Sequence, residues 1–69
     1  MVVHSYRIVV AGGLDDSARD ALSAYEINRA GDDTALLADL DQASLFATLA
    51  RINSLGLELV EVSRVSPPG

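Results

Sequence analysis

The sequence predicts an α+β domain with the element order β-α-β-β-α-β, and three observations carry that expectation. Val2 to Ala11 is rich in β-branched residues and ends at a Gly12-Gly13 turn. Asp41 to Gly56 repeats leucine and isoleucine at helical spacing. Between them, Gly31-Asp32-Asp33 separates two runs of alternating polarity, as in an antiparallel hairpin. Short right-handed crossovers would place both helices on one face of a four-stranded antiparallel sheet, a ferredoxin-like βαββαβ sandwich.

Each element has its own warrant. In the first strand Tyr6, Ile8 and Val10 form one apolar face, while Val9 and Ala11 keep part of the other face apolar too. Asp15 or Asp16 is an N-cap for a short helix over roughly Ser17 to Ala24, in which Ala18, Ala21 and Leu22 share a stripe. Tyr25 to Ala30 and Thr34 to Leu40 are the hairpin strands. Asp41 is the strongest helix start, with Leu40 before it placed to staple onto Leu45. Leu45, Leu49, Ile52 and Leu55 make the buried stripe, Phe46 widens it, and Gly56 sits where a left-handed cap belongs. Leu57 to Val62 is the last strand. Residues 1–65 thus form one domain, and Ser66-Pro67-Pro68-Gly69 reads as a flexible tail, since proline has no N–H to extend a sheet.

Sixty-nine residues suffice for one domain and bury a small core, which favours a supplement to stability. With no cysteine and a single histidine, disulfides, thiolate metal sites and cysteine nucleophiles are excluded, and no metal-ligand spacing is present. Neither a metal nor another cofactor is expected. Self-association as a dimer or higher oligomer is the remaining supplement. The net charge of −5, with five arginines and no lysine, repels nucleic acid and anionic lipid. No apolar run approaches the ~20 residues of a bilayer span and no signal peptide is recognisable, so the expected location is cytoplasmic.

Activities hosted by this architecture leave specific marks. RNA-binding sheets need paired aromatics on the central strands, whereas the aromatics here are Tyr6, Tyr25 and Phe46. Metal chaperones need two cysteines after the first strand. Acylphosphatase-like phosphate cradles are disfavoured by Asp15 and Asp16 beside the glycines. Ligand-sensing ACT domains remain compatible, with Gly12, Gly13, Asp15 and Asp16 as candidate ligand-binding residues. Small dimeric α/β-barrel enzymes also remain, with His4, Tyr6 and Arg7 as the candidate catalytic residues, against an ordinary strand that happens to carry one histidine. Glu58 and Glu61 read as edge charges that discourage uncontrolled sheet addition.

The Asp41-Gln42 helix start, the Leu55-Gly56-Leu57-Glu58-Leu59 approach to the last strand and Tyr6-Arg7-Ile8-Val9-Val10 upstream together resemble a group of small uncharacterised actinobacterial proteins of ferredoxin-like type. That resemblance implies the fold and brings no known activity.

The function expected from the sequence is therefore a non-enzymatic, self-associating interaction module, an accessory or regulatory subunit beside a larger protein partner. The alternative is an ACT-like small-molecule sensor, or a small cleft enzyme. The expected contact is a sheet face or an edge strand, with Val9, Leu37, Val60 and Val62 as the interface residues.

Overall fold

Two aspartates start the two helices. The carboxylate of Asp15 accepts from Ala18 N at 2.8 Å and opens α1, Asp16–Ala21. That of Asp41 accepts from Ser44 N at 2.7 Å and opens α2, Gln42–Ser54. The computed structural model describes residues 2–65, so the expected tail at 66–69 lies outside the described residues. Around the helices lie β1 (His4–Val10), β2 (Glu26–Ala30), β3 (Asp33–Leu40) and β4 (Leu59–Arg64).

The architecture is α+β, with one four-stranded antiparallel sheet in the order β2-β3-β1-β4 and two helices. β1 lies in the middle, pairing Ile8 with Leu36 of β3 on one side and with Val62 of β4 on the other. The β2–β3 hairpin turns at Gly31, whose φ of +63° is left-handed. Ile8, Val10 and Leu36 from the sheet meet Leu22, just beyond α1, and Leu45 and Ile52 of α2 in one buried cluster. Leu40, the residue before the Asp41 cap, packs against the same cluster that holds Leu45, consistent with the expected staple.

Two of the boundaries that differ from the sequence expectation have a visible reason. α1 ends three residues early because Leu22, fully buried, turns into the core and its carbonyl accepts from Tyr25 N at 3.1 Å. β4 starts at Leu59 rather than Leu57 because Leu57 completes the end of α2. Gly56 adopts φ +76°, Gly56 N donates to Asn53 O at 3.0 Å, and Leu57 N donates to Ile52 O at 3.2 Å. That is a Schellman motif, and the accompanying apolar contact is present because Leu57 packs on the cluster that holds Ile52.

Candidate functional site

An exposed apolar strip lies on the β4 edge, whereas the second sheet face is mostly polar. Val9 points away from the cluster, yet it is 5% exposed, and its neighbour on β3, Ala35, is 3% exposed. Arg7, two residues before Val9 on the same face, forms an ion pair with Glu61, the residue opposite Val9 on β4, at 3.2 Å. Long side chains of this kind shield apolar neighbours with their stems. Glu26, Asn28, Asp39 and Ser63 complete a mostly polar face.

The four expected interface residues are consequently separated. Val9 is buried within the subunit, and Leu37 is half-buried opposite Arg7. Val62 sits opposite Ile8, on the side of the buried cluster, so it does not share a face with Val9. Val60 is the extra residue of a β-bulge, because Glu61 faces Val9 while Leu59 faces Val10. Leu59, Val60 and Val62 of the edge strand β4 and Val65 just beyond it are all exposed, Val60 by 52%. Phe46 of α2 is also exposed, because it lies about 100° around the helix from Leu45 and outside the Leu45–Thr48–Ile52 stripe that faces the core.

Of the candidate catalytic residues, the structure brings two together and sends the third away. The His4 and Tyr6 rings meet edge to face with centroids 6.4 Å apart. They share a concavity of about 400 Å³ with Asp41, Gln42 and Arg64. Arg7 points to the other face and is engaged by Glu61. In the glycine loop most polar groups are already committed. Gly12 N donates to Asp33 Oδ1 at 3.0 Å, Thr34 Oγ1 donates to Gly12 O at 2.7 Å, and Asp15 caps α1. Asp16 is exposed in the first turn of α1, and Gly13 borders a hollow near Arg19 and Arg29. These tethers hold the loop against the start of β3.

A cleft of about 460 Å³ opens between α2 and the end of β3, bordered by Tyr25, Leu40, Ser44, Thr48 and Arg51. β3 runs on to Leu40 while β2 begins at Glu26, opposite Leu37, and the shorter strand leaves this gap. Thr48, 2% exposed in the helix stripe, was not singled out from sequence; a hydroxyl between Leu45 and Ile52 at helical spacing was the available signal. Arg51 spans to α1, its Nη1 donating to Ala21 O at 3.4 Å.

Residues 5–63 match a family model described as a domain of unknown function, DUF8691. The chain belongs to that family. No curated protein and no solved structure matches the chain. The DUF8691 match encloses both helices and every strand residue except His4 and Arg64, so it includes Asp41, Gly56 and the β4 residues Leu59 to Ser63. Within the DUF8691 domain one carboxyl departs from its ordinary acidity. Asp41 is held below the usual carboxylate range, first by the Ser44 backbone N–H and then by the Ser44 hydroxyl. The cause is helix capping, a structural duty. Among the described residues no helix is long and apolar enough to cross a membrane.

Proposed function

We propose that this DUF8691 chain is a non-enzymatic, self-associating interaction module that serves a larger protein as an accessory or regulatory subunit. The observation that carries the reading is the exposed apolar strip of Leu59, Val60 and Val62 on the edge strand β4, with Val65 just beyond it. Covering that strip on two subunits contributes on the order of 10 kcal/mol, comparable with the roughly 4–15 kcal/mol cost of association. The small core of a 69-residue chain supplies the motive. We assign the architecture to the ferredoxin-like class with both helices on one face. The strand order, read from β4 as 4-1-3-2, supports that assignment, and so does the single cluster that both helical segments share with Ile8, Val10 and Leu36.

A second reading, a small-molecule sensor of ACT-like type, draws its support from the cleft beside Tyr25, Ser44 and Arg51. Native mass spectrometry of the purified chain separates the two. A homo-oligomer of unaltered subunit mass is the expected result. A monomer at high micromolar concentration overturns the interaction module, and a retained metabolite makes the sensor the primary reading.

A further inference from the structure

We infer that two copies of this chain pair antiparallel through β4 about a two-fold axis at Val62, forming one continuous eight-stranded sheet. The inference rests on the self-association reading and adds to it the edge, the register and the partner, a second copy of the chain.

The sheet has two edges, and they differ in kind. On β2 the side chains of Glu26, Asn28 and Arg29 are exposed, a polar border of the sort that resists strand addition. On β4 the exposed side chains include Leu59, Val60 and Val62, with Val65 just beyond. Glu61, the carboxylate within that strand, is paired with Arg7 of the neighbouring strand, which reduces its value as a guard.

The backbone of β4 also has a free side. Val65 N donates to Ser5 O at 2.8 Å, so the N–H of Val65 points inward to β1. Inward and outward residues alternate in an antiparallel ladder, which makes Ser63 and Glu61 inward and leaves the N–H and C=O of Val62 and Arg64 directed out of the sheet. A second strand can receive those groups only in registers that set outward residues opposite outward ones.

Charge and apolarity choose among these registers. Centring the axis on Glu61 or on Arg64 sets like charges directly opposite each other, which is destabilising. An axis at Ser63 sets Val62 against Arg64 and Glu61 against Val65. With the axis at Val62, Val62 meets its twin, Glu61 meets Ser63 and Val60 meets Arg64, while the bulge at Val60 puts Leu59 out of phase with the ladder. The axis position is then apolar on both strands and no like charges are opposed. Because the axis is a closed two-fold, the assembly stops at two copies and presents the polar β2 at both outer edges.

The chain has no native cysteine, so a single introduced thiol reports on its own neighbourhood without background. In the full chain under mild oxidation, Val62→Cys is expected to give a covalent dimer, while Asn28→Cys on the β2 edge remains uncrosslinked. A separate variant, Val62→Pro, deletes an N–H that no strand of the same subunit receives. It is expected to keep the circular dichroism spectrum and to lose the dimer. A native dimer that crosslinks through Asn28→Cys but not Val62→Cys, or that survives Val62→Pro unchanged, overturns this register and leaves self-association standing. A chain that is monomeric before any substitution overturns both readings together.

Discussion

Tyr25 Oη lies 2.8 Å from Thr48 Oγ1, and the direction of that hydrogen bond is fixed by a third group. Thr48 Oγ1 donates its one hydrogen to Ser44 O at 2.9 Å, so the tyrosine is the donor to the threonine. The pair ties the turn before β2 to the middle of α2. Tyr25→Phe is expected to cost about 0.5–1.5 kcal/mol, the net value of a typical hydrogen bond. In a Thr48→Val background the same substitution should cost clearly less, because its acceptor is already gone. Urea unfolding of the four proteins closes this cycle, and equal costs in both backgrounds would refute the donor assignment.

Gly56 and Gly13 form a matched pair for testing backbone conformation. A methyl group added at either meets no atom within 4 Å, but only Gly56 has positive φ, at +76°. Gly56→Ala therefore carries a conformational penalty on the order of 1–2 kcal/mol with no steric contribution. Gly13→Ala should be neutral or stabilising by up to about 1 kcal/mol, since it restricts the unfolded chain. Thermal melts of both variants read the contrast directly, and equal losses would point away from the Schellman geometry.

Acid should weaken the start of α2. The folded-state acidity of Asp41 is stronger than its ordinary value of 3.8, with the Ser44 N–H as the leading cause. A depressed carboxyl contributes stability that is fully present above the unfolded value and is lost as pH falls through the lower, folded value. Asp41→Asn keeps an acceptor for the helix N–H but cannot titrate. The stability gap between the parent and Asp41→Asn should therefore narrow as the solution is acidified. A gap that stays constant through the acid range would show that the carboxylate charge plays no part.

Local chemistry was legible in the sequence where neighbours along the chain decide the outcome. Asp41 before the leucine repeat, Gly56 after it, and Gly31 between two alternating runs each specify a cap or turn without help from distant residues. Leu57 reads as strand in the sequence because an apolar residue after a glycine looks alike in both roles, but a Schellman motif consumes its N–H. The candidate surface depended on pairing register, which sequence leaves open. Alternation alone allowed Val62 to share a face with Val9, but the bulge at Val60 shifts the phase of β4, and Val62 faces the cluster instead. The shielding of Val9 by Arg7 and Glu61 joins residues far apart in the chain, and nothing adjacent to Val9 announces it.

That difference changes which substitution tests self-association. A charge at Val9 would enter a site that is 5% exposed within the subunit, so Val9→Asp should unfold the chain by several kcal/mol rather than dissolve an oligomer. Val62 is 37% exposed, and Val62→Asp should leave the fold intact while setting two carboxylates, one per subunit, directly opposite each other at the two-fold axis. Their repulsion and the lost apolar cover act together, and the repulsive part is screened by salt. Sedimentation of Val62→Asp is therefore expected to give a folded monomer at low ionic strength, with partial recovery of the dimer at high salt. An unaltered dimer at low salt would remove Val62 from the contact.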